Sequence, residues 1–288
     1  AQCLVGSEMC IRDRIDAELV MASDPDADRV GIACKDDKGE WVLINGNQTC
    51  MMYLYYILTQ YKQLGKIQGN EFCVKTIVTT ELIKKIADKN NIEMLDCYTG
   101  FKWIAREIRL REGKKKYIGG GEESYGFLAE DFVRDKDAVQ AVVMAAEAGN
   151  FYKKQGKDLV DVLNELYAKH GTFKETQIAL SKAGAAGAAR IKEIMDNLRK
   201  DAPQEIGGVK VVKVEDYGNS TCSDGTTIQL PKSNVLKYYL EDGSWIAARP
   251  SGTEPKCKFY FSIKGSDADD AASKTEVFHK AMMEIIGE

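Results

Sequence analysis

The sequence predicts an α/β protein in which an α/β domain, a mixed sheet with helices, is followed by a smaller C-terminal α+β domain. Strand and helix signals alternate from about residue 72 to 171, the pattern of strands joined by crossover helices that cover a parallel sheet. Past the breaker run Asp201-Ala202-Pro203, strand signals follow one another and a single helix closes the chain. With 288 residues, 44% of them apolar, the chain is long enough for roughly two cores.

The first elements are short and apolar. Strands are expected at 19–22 and 30–34, joined by an acidic loop, and a third at 41–44 after the turn Asp36-Asp37-Lys38-Gly39. A helix follows from about Asn47 to Leu64, with Gly65 placed to cap its C-terminus. Next come strand 74–79, helix 81–89, strand 92–97, helix 103–111, strand 117–119, and helices near 137–154 and 158–169. The second domain opens with a Gly/Ala-rich stretch, 183–189, and a helix to about Lys200. Its strands are expected at 209–214, 235–240, 245–249 and 258–263, before a helix from Asp267 to about Ile286. Residues 1–14 carry neither period and the chain opens without Met, so this segment is expected to be non-native or disordered.

Forty Lys plus Arg against 44 Asp plus Glu leave a net charge of -4, which argues against nucleic acid or an anionic membrane as partner. An anionic substrate must then be held by locally placed bases. No apolar run approaches the roughly 20 residues of a membrane-spanning helix, and a cytoplasmic protein is expected. The eight cysteines contain no C-x-x-C pair, against a zinc site or a disulfide framework, and most are expected to be buried thiols. His170 and His279 lie far from every motif and are expected to be structural.

Three loops carry chemistry. In Ser23-Asp24-Pro25-Asp26-Ala27-Asp28-Arg29, three alternating carboxylates between two strands can converge, and such a cluster repels itself unless a cation neutralises it. Hard oxygen ligands suit Mg²⁺. A calcium EF-hand needs Gly and Glu where the chain has Arg29 and Lys35, so that reading fails; a solvated acidic turn is the plain alternative. In the second loop, Gly119-Gly120-Gly121-Glu122-Glu123-Ser124-Tyr125-Gly126-Phe127, glycines allow close approach to a ligand, and Glu122 and Ser124, two apart, can face its hydroxyls. It is not a dinucleotide fingerprint, and adjacent Glu122 and Glu123 point opposite ways on extended backbone, against a glycosidase pair. Alone, the loop reads equally well as a strained turn. The third, Arg249-Pro250-Ser251-Gly252-Thr253-Glu254-Pro255-Lys256, offers a guanidinium fork, hydroxyls and an open backbone N–H to an anion, without the Gly-Lys-Ser/Thr of a nucleotide loop. An ordinary hairpin turn is its alternative.

In this order and spacing, the three loops resemble those of the α-D-phosphohexomutases: Asp-x-Asp-x-Asp-Arg for metal, Gly-Glu-Glu-Ser-x-Gly for sugar, Arg-Pro-Ser-Gly-Thr-Glu-Pro for phosphate. The resemblance runs from about Ala17 to the C-terminus and takes in Thr99-Gly100-Phe101-Lys102-Trp103 and Arg134-Asp135-Lys136-Asp137. It implies a partial preceding α/β domain: residues 15–69 as the C-terminal part of the family's domain 2, 70–182 as domain 3 and 183–288 as domain 4. It further implies Mg²⁺ on Asp24, Asp26 and Asp28, with Arg29 assisting at a phosphoserine and Lys102 and Lys136 as basic groups near the reaction. Glu122 and Ser124 would contact sugar hydroxyls, and Arg249, Ser251, Gly252 and Thr253 would hold the phosphate that is not reacting.

The implied reaction interconverts glucose 1-phosphate and glucose 6-phosphate through glucose 1,6-bisphosphate. Glu-Glu-Ser-Tyr-Gly is most similar to the glucose-specific branch; a phosphomannomutase or a dual-specificity enzyme is the alternative. The family's nucleophilic Ser, followed by His-Asn-Pro, has no counterpart, since no Ser-His or His-Asn pair occurs in the sequence. The expectation is therefore a fragment, inactive alone, whose partners are hexose phosphates and the missing N-terminal domains of the same protein. Two other classes compete: a non-catalytic sugar phosphate binding module, and a phosphatase with Asp24 as nucleophile, which leaves Asp28 and the third loop unexplained.

Overall fold

A computed structural model describes residues 16–288, which fall into two compact units that divide after His170. The expectation for residues 1–14 lies outside the described residues.

The first unit begins with an antiparallel three-stranded sheet, β1 (Leu19–Ser23), β2 (Val30–Lys35) and β3 (Trp41–Ile44). Asn45 caps the next helix, α1 (Gly46–Gln63), through a reciprocal capping box with Gln48. Helix α1 touches β6 (Lys116–Gly121), α2 (Leu82–Lys89), α4 (Ala138–Lys153) and α5 (Leu159–His170), so apolar residues surround it rather than form a stripe.

A four-stranded sheet in the order β5-β4-β6-β7 completes the unit, with β4 (Glu71–Thr76), β5 (Glu93–Cys97) and β7 (Phe127–Leu128) beside β6. Strand β4 pairs parallel with β5 and β6, while β7 runs antiparallel on β6, as the mixed sheet requires. All six residues of β4 are buried because both faces are covered, with α3 (Phe101–Arg111) contributing Phe101, Ile104 and Ile108 to a core around Phe72, Val74 and Tyr117.

The second unit is one antiparallel sheet, ordered β11-β10-β12-β13-β14-β8, with β11 (Thr221–Cys222) and β8 (Thr172–Ser181) at its edges and β9 (Glu205–Ile206) attached to β10. Its central strands are β10 (Val209–Asp216), β12 (Leu236–Leu240), β13 (Trp245–Pro250) and β14 (Lys256–Gly265). Helices α6 (Gly184–Lys200) and α7 (Ala268–Ile286) meet one face of it, where Ile191, Met195, Phe259, Phe261, Phe278 and Met282 form the core.

One expectation is corrected. Strand β8 (Thr172–Ser181) went unread, and it pairs with β14 over its full length from Thr172↔Gly265 to Ser181↔Lys256, so residues 171–182 belong to the second unit. As the sheet edge it carries Lys174 and Glu175, charges that blunt edge pairing and mask the apolar alternation. The Gly/Ala-rich stretch forms the first turns of α6, in keeping with alanine's helix preference.

The six cysteines among the described residues are free, five of them buried. His279 Nε2 shares a hydrogen bond with Thr176 Oγ1 at 2.7 Å and its ring lies 4.5 Å from that of Phe261, a structural placement. Among the described residues no helix is long and apolar enough to cross a membrane.

Candidate active site

Parallel strands present their following loops at one edge, the place where open α/β sheets bind ligands. Here three such loops meet: 77–80 after β4, 98–100 after β5, and 122–126 after β6. Glu122, 2% exposed, accepts a hydrogen bond at Oε1 from Gly100 N (2.6 Å), while Ser124 Oγ lies 3.5 Å from its Oε2. Glu123 turns the other way, and its Oε2 accepts from Thr76 Oγ1 (3.1 Å) and Thr79 Oγ1 (3.4 Å). The adjacent glutamates thus diverge, Glu122 fastening the loop after β5 and Glu123 the end of β4 and the turn that follows it. Glu122 N–H donates to Gly126 O at 2.8 Å, closing a tight turn in which Tyr125 adopts φ +70°, unusual for a bulky residue.

The acidic loop also lies in this unit. Asp24 Oδ1 accepts from the backbone N–H groups of Asp28 and Arg29, both at 3.1 Å, and its Oδ2 lies 4.0 Å from the Arg29 guanidinium. Desolvation pulls its pKa upward, but the two N–H donors and Arg29 hold the carboxyl below its ordinary value. Ala27 takes the left-handed conformation, φ +54°, which lets the loop turn within six residues. Asp26 is exposed.

Lys136 ties the first two loops together. Its ammonium lies 2.7 Å from Asp28 Oδ2 and 5.9 Å from the Phe101 ring centre, and Ala138 N–H, two residues on, donates to Ala27 O at 3.1 Å. A Cβ on Gly126 would sit 2.9 Å from Lys136 Cδ and 3.4 Å from Glu122 Oε2, so the lysine passes directly over the glycine of the second loop. Burial works against its charge, yet the hydrogen bond to Asp28 and the nearby Asp135 carboxylate raise its pKa above the ordinary value. Lys102 is placed differently: it is exposed, 5.8 Å from the Trp103 ring centre.

The carboxylate oxygens of the acidic loop are the donors a hard divalent cation prefers, and Asp28 Oδ1 is buried with no hydrogen-bond partner, an orphan that a cation would satisfy. The donor chemistry therefore fits Mg²⁺. The expected convergence of Asp24, Asp26 and Asp28 on one point is not present: among the described residues no three carboxylate, His or Cys side chains form a metal-holding group. Asp24 is turned onto its own backbone and Asp28 onto Lys136.

In the second unit, the loop after β13 is organised by its own chain. Ser251 N–H donates to Lys256 O (2.7 Å), and Ser251 Oγ accepts from Thr253 N and Glu254 N, both at 3.3 Å. Gly252 and Thr253 are exposed and Arg249 is half-buried. Residues 250–255 line a cavity of about 400 Å³ against Ile191, Lys192 and Met195 of α6. A Cβ at Gly252 would meet nothing within 4 Å, which leaves its backbone open to an approaching anion.

Sequence reasoning missed the partners that fasten the glutamates, Gly100, Thr76 and Thr79, because each lies 22 to 47 residues away along the chain. The signal available was the Thr99-Gly100-Phe101 segment, which the resemblance included without a role.

The family model for the phosphoglucomutase/phosphomannomutase alpha/beta/alpha domain III matches residues 45–170, and that for the C-terminal domain of the same family matches 183–280. The chain belongs to the phosphoglucomutase/phosphomannomutase family. Its relatives include phosphoglucomutases of Staphylococcus aureus strains MRSA252 and N315, 43% and 42% identical over 263 residues. Each alignment takes in 90% of this chain and 47% of the relative, so the chain spans about half the length of the curated relatives it matches.

Among solved structures, the open form of pp63/parafusin, a phosphoglucomutase from Paramecium, superimposes with a TM-score of 0.66 at 20% identity, over 94% of this chain and 45% of that one. A putative phosphomannomutase from Thermus thermophilus gives 0.60 at 18%, over 94% of this chain and 46% of that one. These two likenesses concern the fold. The domain III match takes in α1 together with the second loop.

Proposed function

We propose that this chain is the metal-, sugar- and phosphate-binding portion of a phosphoglucomutase that interconverts glucose 1-phosphate and glucose 6-phosphate through glucose 1,6-bisphosphate. The observation that carries the reading is Lys136, whose ammonium joins Asp28 of the acidic loop while its chain crosses Gly126 of the sugar loop. That places a cation, an oxygen-ligand loop and a Glu/Ser pair within one small region, as transfer of a phosphoryl group on a sugar requires.

Asp24, Asp26 and Asp28 would hold Mg²⁺, which when bound neutralises charge on the transferring phosphoryl group. Arg29 and Lys136 add positive charge beside that point, and Lys102, exposed on the first turn of α3, is a further base for a phosphate oxygen. Glu122 and Ser124 would bond the sugar hydroxyls and set which end of the hexose is presented. Arg249, Ser251, Gly252 and Thr253 would hold the phosphate that does not react. The phosphorylated serine would come from N-terminal domains of the same protein, so the chain alone binds without turning over.

Calorimetry of the 288-residue chain with Mg²⁺ tests this. Micromolar binding of glucose 6-phosphate, with mannose 6-phosphate weaker, is expected. Absence of binding overturns the reading, equal binding of the two sugars removes the glucose preference, and turnover of glucose 1-phosphate by the purified chain removes the need for a separate serine.

A further inference from the structure

The first residue of α1 has no role so far, although it touches the second loop. Gly46 is buried, and a Cβ built on it would lie 2.1 Å from Glu123 O and 2.7 Å from both Glu123 C and Tyr125 N. These are backbone atoms, which cannot rotate aside as a side chain would. The helix start cannot yield either. Asn45 and Gln48 close the capping box, Gln48 Nε2 reaches Tyr167 OH at 3.2 Å, and Asn47 Oδ1 accepts from Thr80 N at 2.8 Å. One turn on, the Cys50 thiol donates to Glu122 O at 3.4 Å.

From this geometry we infer that Gly46 is a positioning residue for the sugar loop: its bare Cα is the seat on which the Glu123-Ser124-Tyr125 backbone rests, and it sets where Glu122 and Ser124 stand. Any side chain here pushes the loop off α1, while Asn47 holds the 77–80 turn whose threonine fastens Glu123. The structural part stands on packing alone; its consequence for sugar binding rests on the proposed function. The sign of the effect is diagnostic. Alanine favours a helix over glycine, so a glycine that served only α1 would be replaced neutrally or with a gain.

The test is hydrogen exchange read by mass spectrometry on the full 288-residue chain, with glucose 6-phosphate affinity measured beside it. Gly46→Ala is expected to speed exchange in the 117–128 segment about tenfold or more and to weaken glucose 6-phosphate comparably. Gly149→Ala, where the new Cβ meets only Leu19 Cδ2 at 3.5 Å, is expected to change neither. Wild-type exchange in 117–128 of Gly46→Ala overturns the inference, even if the melting temperature falls. Should Gly46→Ala not fold, Asn47→Ala decides: faster exchange in 77–80 and 117–128 supports the seat, and unchanged exchange refutes it. A wild-type chain that binds no sugar phosphate counts against the proposed function, and exchange still judges Gly46.

Discussion

The loop after β6 and the loop after β13 are built in opposite ways. The first is fastened from outside: Glu122 to Gly100, Glu123 to Thr76 and Thr79, and Gly46 beneath, leaving Glu122 almost without solvent contact. The second is held by its own residues, Ser251 bonding within the turn, while Gly252 to Glu254 stay exposed. Under the proposed function, a loop that distinguishes hydroxyls has a fixed frame, whereas the Arg249 guanidinium and the exposed Gly252 backbone suffice for a phosphate. Tertiary contacts would then carry the stereochemistry, and the local chain the charge.

The contrast can be broken by substitution. Glu122→Ala leaves the half-buried N–H of Gly100 without its acceptor, and is expected to lower stability in a urea titration by about 1 kcal/mol while removing sugar phosphate binding. Arg249→Ala should weaken glucose 6-phosphate by an order of magnitude or more in calorimetry, yet shift stability by less than about 0.5 kcal/mol, because its loop is locally held. A large stability loss there would erase the distinction. Lys136→Met frees Asp28 from its ammonium partner and is expected to tighten Mg²⁺ binding several-fold, the gain of about 1 kcal/mol that a partly exposed pair contributes; unchanged Mg²⁺ affinity would mean the acidic loop does not hold the ion.

The smallest effect is one of pH. Burial and the neighbouring Lys174 lower the pKa of His279, outweighing Glu276, so the folded chain keeps this imidazole neutral below the pH at which the unfolded chain protonates it. Its contribution is complete above the ordinary imidazole range and is lost as pH falls through the depressed value. Urea titrations between about pH 7 and pH 5 should therefore show a shallower decline for His279→Asn than for the parent chain.

Much of this was legible in sequence because it is local. Alternating carboxylates, the glycine run and the Arg-Pro-Ser-Gly turn each state their chemistry within a few residues, and the parallel strands with their covering helices follow from apolar period and punctuation, although the short antiparallel β7 does not. What escaped was long-range. Nothing near Gly100 announces that its N–H faces Glu122, and the charges on β8 disguise an edge strand that pairs with β14, about 80 residues on in sequence. The acidic loop shows the converse: its spacing suggested converging carboxylates, but free backbone donors and a lysine from 108 residues downstream claimed two of them first. Spacing specifies which groups can meet; competition among neighbours decides which do.

Tyr125 holds a left-handed backbone that an aromatic residue on its own would leave. The shape of residues 122–126 is therefore imposed by α1 and the flanking strands rather than encoded in the pentapeptide. Grafted onto a foreign hairpin, or synthesised as a free peptide, the same letters would relax to another conformer and lose the placement of Glu122 and Ser124. An engineer wishing to borrow this loop would have to move its scaffold with it.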